Sequence, residues 1–283
     1  MPALMFVHPH PDDESISCGG TIARHVDEGA HVVVVTCTGG EEGENLAGID
    51  LGDVAMPEVR RHELAGALAA LGVREHEFLG YRDSGMAGTA ANDHPESLHA
   101  ADPEEAARRL ALLIRSHRPD VVVSDDERGS YGHPDHIRAH EVTTRAIEIA
   151  ADAADHLPGE PWGVRKRYVH AIPREGVLQF HERMLAAGLP SPFGDEPIEG
   201  VEEIPFGVPE STITTAIDVG PWYGRKRAAM RAHRSQIGDE SFFLNLPDDL
   251  AREVFALEHY VLLSAAAEVD RVGVEDDLLQ GLR

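Results

Sequence analysis

Apolar and polar positions follow two rhythms along the first half of the chain. Short aliphatic runs at 4–7 (LMFV), 31–37 (HVVVVTC), 77–80 (EFLG) and 120–124 (DVVVS) predict strands. Between and after them, 15–28, 58–71, 103–117 and 134–151 read as helices. The run at 31–37 is apolar at consecutive positions, as expected of a sheet covered on both faces. Strands alternating with helices imply a parallel sheet with crossover helices. Ligands of such sheets bind beyond the carboxyl ends of the strands.

Beyond about residue 152 the rhythm weakens. Strands are predicted at 168–172 and 212–219, helices at 179–187 and 222–236, and a Pro-, Gly- and Glu-rich loop at 189–209. The expected fold is α/β: a Rossmann-like, mostly parallel sheet with helices on both faces, extended by a C-terminal α+β portion. One domain over 1–283 is expected, with 153–283 walling a site carried by 1–152.

Charge narrows the partners. Fifty acidic residues against 25 basic ones give a net charge of −25, which argues against nucleic acid and anionic membrane surfaces. No stretch approaches the roughly 18 apolar residues of a membrane helix. The first apolar run ends at Val7 and leads into a polar motif, unlike a secretory signal, so a cytosolic location is expected. Cys18 and Cys37 lack Cys-x-x-Cys spacing and read as small buried residues. A homo-oligomer is left open.

Two motifs carry the chemistry: His8-Pro9-His10-Pro11-Asp12-Asp13-Glu14 and Tyr131-Gly132-His133-Pro134-Asp135-His136. Each follows a predicted strand, so both fall at one edge of the sheet, as does Thr36-Cys37-Thr38-Gly39-Gly40-Glu41. His10, Asp13 and His136 offer two imidazoles and one carboxylate, which leaves coordination positions open for water and substrate. Zn²⁺ suits such a set, and Fe²⁺ is the alternative. Asp12, beside Asp13, is placed to take a proton from a water whose pKa zinc lowers to about 7. Asp135 can orient and charge His133, which can then stabilise an oxyanion or protonate a leaving amine. His8 is read as pointing into the fold, and His140, one helical turn past His136, as a surface or supporting residue. The acidic Glu41, Glu42 and Glu44 read as a solvated loop.

With 36–44 (TCTGGEEGE), Arg60-x-x-Glu63-Leu64, Arg82-Asp83-Ser84-Gly85-Met86 and Glu258-His259-Tyr260-Val261-Leu262, these motifs resemble the PIG-L/LmbE-like N-deacetylases over most of the chain. The resemblance implies zinc ligands at His10, Asp13 and His136 and a general base at Asp12. It further implies a residue beside the oxyanion at His133 with Asp135 behind it, a mobile tyrosine at Tyr131, and sugar and inositol contacts at Arg60 and Asp83. The expected substrate is a small N-acetylated amino sugar.

Within that family the chain is most similar to the mycothiol branch, which holds an N-acetylglucosaminyl-inositol deacetylase and a mycothiol S-conjugate amidase. The amidases carry a lysine shortly after the Asp-Asp-Glu, whereas residues 15–19 here are SISCG. Residues 277–282 (DLLQGL) also resemble the deacetylase, while 77–85 (EFLGYRDSG) and 235–243 resemble the amidase. The deacetylase is the expected activity and the amidase its rival. A non-catalytic carbohydrate- or metal-binding module would not need Asp12. A dinucleotide enzyme would need a Gly-x-Gly-x-x-Gly after the first strand, where none occurs.

Overall fold

The computed structural model describes residues 1–269 and 273–282. In the first half, β1 (Ala3–His8), α1 (Asp13–Ser17), α2 (Gly19–Asp27), β2 (His31–Thr38), α3 (Met56–Leu71), β3 (Glu75–Tyr81), α4 (Pro103–His117), β4 (Val121–Ser124), α5 (Gly129–Gly132) and α6 (Pro134–Ala151) follow one another. The remainder adds β5 (Lys166–Ala171), α7 (Arg174–Ala186), β6 (Thr215–Asp218), α8 (Tyr223–Ala232), α9 (Asp248–Phe255) and β7 (Leu257–Ala265).

The strands form a seven-stranded sheet in the order β3-β2-β1-β4-β5-β7-β6. Pairing from β3 through β5 is parallel, and β7 runs antiparallel to both β5 and β6. Successive residues of β1 and β2 serve opposite faces. Leu4, Phe6, Val32 and Val34 pack with α2, α3 and α8 residues, while Met5, Val7, Val33 and Val35 pack with α4 and α6 residues. This two-sided burial is why the strands read as unbroken apolar runs. Strand order reverses between β1 and β4, so a crevice opens at their carboxyl ends. The two His/Asp motifs follow those two strands.

Several expectations shift in detail. The helix expected over 15–28 is two helices, α1 and α2, with a break at Cys18 (φ −129°, ψ 4°). The break is satisfied from far along the chain: the Glu258 carboxylate accepts the N–H groups of Gly20 (2.9 Å) and Thr21 (2.8 Å) at the start of α2. Gly20 must be small there, because a Cβ would lie 2.4 Å from Val219 Cγ2. The helix expected over 222–236 stops at Ala232, and α9 and β7 were not expected as elements. In β7 the alternation is obscured because an inward position holds Glu258, which is 4% exposed.

Glu258 also meets Lys226 Nζ at 2.6 Å and the Tyr260 hydroxyl at 3.2 Å. Glu258→Ala would strand a buried ammonium and two helix N–H groups. Chemical unfolding should show a loss of about 3–5 kcal/mol; a loss below about 1 kcal/mol would mean that this network does not hold β7 against α2.

Candidate metal centre

The first motif turns the chain from β1 into α1. The Asp13 carboxylate accepts the His10 N–H at 2.9 Å, which folds the loop back on itself. Asp12 pays a conformational cost there, with φ 119° and ψ −31°, a region that costs a non-glycine residue about 1–3 kcal/mol. The second motif begins in α5, where Ser130 has φ 58°. His133 then caps α6 by accepting the Asp135 N–H on Nδ1 at 3.1 Å. Pro134 starts the helix, which puts His136 in its first turn.

The two motifs meet around one carboxylate oxygen. Asp13 Oδ2 lies 3.4 Å from His10 Nδ1 and 3.6 Å from His136 Nε2. On the far side of each ring sits another carboxylate. The His10 Nε2–H donates to Asp135 Oδ2 at 3.2 Å, and the His136 Nδ1–H to Asp125 Oδ1 at 2.7 Å. Both imidazoles therefore turn one nitrogen toward Asp13 and have the other anchored. Among the described residues, His136 Nε2 is buried without a hydrogen-bond partner. A histidine whose rear nitrogen is held by a carboxylate is oriented as a metal ligand, so these residues fit a divalent ion. One ring nitrogen of His133 lies within 4.8 Å of one from His10 and one from His136, and the cap bond on Nδ1 leaves only Nε2 for the site.

Electrostatics prepare the same place for positive charge. Burial works against ionising Asp13, yet His136 and His10 outweigh it and hold the carboxyl well below the usual range. Burial likewise disfavours charge on His10, but Asp13 and Asp135 raise its pKa well above the ordinary value. His136 is raised too, by Asp13 and Asp125 against burial. Protons on these rings thus compete with a cation. Metal binding should release up to about two protons, and affinity should fall as pH drops through the raised histidine pKa values. Calorimetry in buffers of different ionisation enthalpy reads that release; none below pH 7 would contradict the arrangement.

Asp12 differs from Asp13. Burial pushes its pKa up to about 6, with Arg60 pulling down and Asp13 pushing up. Arg60 Nη2 lies 3.3 Å from Asp12 Oδ2. Burial, then His10, pushes His133 down to about 4, so near neutrality its ring is uncharged with the proton on Nε2. Tyr131 is 58% exposed, and its ring lies edge-on 5.2 Å from His136 and 6.1 Å from His133.

Arg60 and Asp83 are both buried and already engaged. Arg60 donates to the carbonyls of Gly40 (3.0 Å) and Pro11 (2.6 Å). Asp83 accepts from Gly85 N (2.8 Å) and Glu42 N (3.3 Å), with Oδ1 3.5 Å from His10 Nε2. Asp135 departs from its expected pairing. Its carboxylate hydrogen-bonds His10, the Ser84 N–H at 2.9 Å and the Ser84 hydroxyl; its backbone N–H makes the hydrogen bond to His133, and its charge acts on that ring through space, raising the His133 pKa against burial. The N-cap geometry explains this, since the cap ring sits over the N–H while the carboxylate turns across the crevice. Glu41 accepts the Asp83 N–H at 2.8 Å and Glu42 pairs with Arg82, so this acidic loop ties the walls together.

Residues 5–147 match the model of the family described as PIG-L: GlcNAc-PI de-N-acetylase. The chain belongs to the PIG-L family. It is 45% identical to a Thermomonospora curvata protein named 1D-myo-inositol 2-acetamido-2-deoxy-alpha-D-glucopyranoside deacetylase, covering 99% of this chain and 96% of that one. A Catenulispora acidiphila protein of the same name, numbered 1, is 44% identical over 99% of this chain and 89% of its own length. Among solved structures, the 4-carboxy-2-hydroxymuconate hydratase of Pseudomonas putida superposes with a TM-score of 0.60 at 20% identity, covering 96% of this chain and all of that one. That likeness concerns the fold alone, and a fold hosts more than one chemistry.

Beside the residues read from the sequence, this PIG-L chain brings others to the site. Asp125, at the carboxyl end of β4, takes the His136 ring, the His170 Nε2–H at 3.0 Å and, on its backbone carbonyl, the His140 Nδ1–H at 2.9 Å. Its place at a strand end next to the switch point was the available signal. His8 is fully buried, neither ring nitrogen has a hydrogen-bond partner among the described residues, and its ring centroid lies 6.3 Å from that of His170. Cys18 and Cys37 are both free and buried. Among the described residues no helix is long and apolar enough to cross a membrane.

Proposed function

We propose that this chain is a metal-dependent N-deacetylase that releases acetate from N-acetylglucosaminyl-inositol or a close N-acetylglucosamine derivative. The observation that carries the reading is Asp13 Oδ2 set between two carboxylate-anchored imidazoles, with a second, less acidic aspartate beside it. The names of relatives 44–45% identical over nearly the whole chain support the substrate class. His10, Asp13 and His136 would hold the ion, zinc in this reading and Fe²⁺ as the alternative.

When bound, such an ion supplies Lewis acidity, lowering the pKa of a water to about 7 and polarising the acetyl carbonyl. Asp12 takes the proton of the attacking water, and Arg60 keeps its carboxylate ionised and aimed. The His133 Nε2–H donates to the oxygen that becomes negative as the carbonyl carbon turns tetrahedral. Tyr131, on the exposed side, adds its hydroxyl to the same oxygen. When the C–N bond breaks, the amine needs a proton. Asp12, pushed up to about 6, can return the one it took, whereas neutral His133 serves better as a hydrogen-bond donor. The products are acetate and the free amino sugar. Asp83 and Arg60 are read as sugar-hydroxyl contacts, Asp83 from a place 3.5 Å from His10 Nε2 and Arg60 from one 3.3 Å from Asp12 Oδ2. Residues 153–283 belong to the same working unit in this reading.

A direct competition between N-acetylglucosaminyl-inositol and a mycothiol S-conjugate tests the assignment. Faster acetate release is expected, and Asp83→Ala should raise KM more than it lowers kcat. Faster consumption of the conjugate would place the chain with the amidases, and no reaction with either would leave the substrate assignment wrong.

A further inference from the structure

The strained backbone of Asp12 is held by a device that begins more than two hundred residues away. The Asp12 N–H donates to Glu14 Oε2 at 3.0 Å. Glu14 is fully buried, and its other oxygen, Oε1, accepts the His233 Nε2–H at 2.8 Å. His233 is also fully buried and ends α8. The next turn makes a matching contact: Ser235 N and Oγ both donate to Glu63 of α3, each at 2.7 Å. That helix carries Arg60, which reaches the Asp12 side chain and the Pro11 carbonyl. One turn of the C-terminal half thus braces Asp12 twice, at its backbone through Glu14 and at its carboxylate through α3.

We propose that His233 is a positioning residue for proton transfer at Asp12, acting through Glu14, which fixes the left-handed backbone that aims the Asp12 carboxylate. The inference rests on the reading of Asp12 as the base. Three observations meet in it: a non-glycine residue at φ 119°, a buried carboxylate that contacts its N–H, and a buried imidazole on that carboxylate. None of these groups faces Asp13 Oδ2 in the way that His10 and His136 do, so the device acts on aim and not on metal binding. Strain of this kind persists only where surrounding contacts over-determine it.

The test uses full-length, zinc-loaded protein and acetate release from N-acetylglucosaminyl-inositol. His233→Leu should lower kcat by roughly 10-fold to 10²-fold, the scale of a small misplacement of a catalytic group. KM and bound zinc should stay unchanged. His233→Gln, whose amide nitrogen can reach Glu14, should restore kcat to within a few-fold, whereas the shorter His233→Asn should not. In the Asp12→Asn background, His233→Leu should add little, because the group it aims is gone. Full multiplication of the two losses would overturn the proposal, as would a glutamine variant as slow as the leucine one or a parallel loss of zinc. If His233→Leu does not fold, the glutamine–asparagine contrast carries the same test. Near-normal turnover of Asp12→Asn alone would show that the base reading has failed and this proposal with it; a slow Asp12→Asn with multiplicative losses would sink only the positioning role.

Discussion

Asp13→Ala, His10→Ala and His136→Ala should each purify with most of the bound metal gone and with acetate release abolished. Asp13 should be the most damaging, because its Oδ2 is the atom both imidazoles face, at 3.4 and 3.6 Å. Removing it also frees the His10 N–H it accepts and loosens the loop. Asp125→Asn should cost less, about 10–100-fold in affinity, since Asp125 acts by holding the His136 ring. Elemental analysis of protein purified without added metal, with a competing chelator to read affinity, decides it. Full metal content in all three alanine variants would remove the ligand assignment.

Asp12→Asn should separate binding from chemistry. Asparagine keeps an oxygen for Arg60 and the same backbone, so the ion should remain. It cannot take a proton, and turnover should fall on the order of 10²-fold or more, the usual scale for a positioned acid or base. His133→Ala should also retain metal and lose mainly kcat, because its hydrogen bond strengthens only as negative charge develops. Metal content and steady-state kinetics on one preparation provide both numbers. An Asp12→Asn enzyme near wild-type turnover would exclude Asp12 as base.

What could be read from the sequence follows the range of the interactions involved. Strands β1, β2 and β4 were legible because both faces of the sheet are covered, which leaves consecutive apolar residues. Helix α6 was legible to its ends, since its start is a local cap followed by proline. The motifs stood out because strand-end loops concentrate chemistry in a doubly covered sheet. What failed depends on partners distant in the chain. Strand β7 was hidden by the inward Glu258, whose presence makes sense only with Lys226 and the start of α2 beside it. The break at Cys18 has the same cause. Asp135 looked like the natural partner of its neighbour His133, yet its carboxylate crosses to His10. Glu14 and His233 lie 219 residues apart, and no local pattern links them.

Acetate release during stepwise zinc return to chelator-stripped protein, with N-acetylglucosaminyl-inositol as substrate, reads the metal dependence of the reaction directly. The stripped protein should be inactive, and activity should climb in proportion to bound zinc, saturating at about one equivalent per chain. Undiminished acetate release from fully stripped protein, or zinc bound at Asp13 with no acetate released at any loading, would contradict metal-dependent deacetylation.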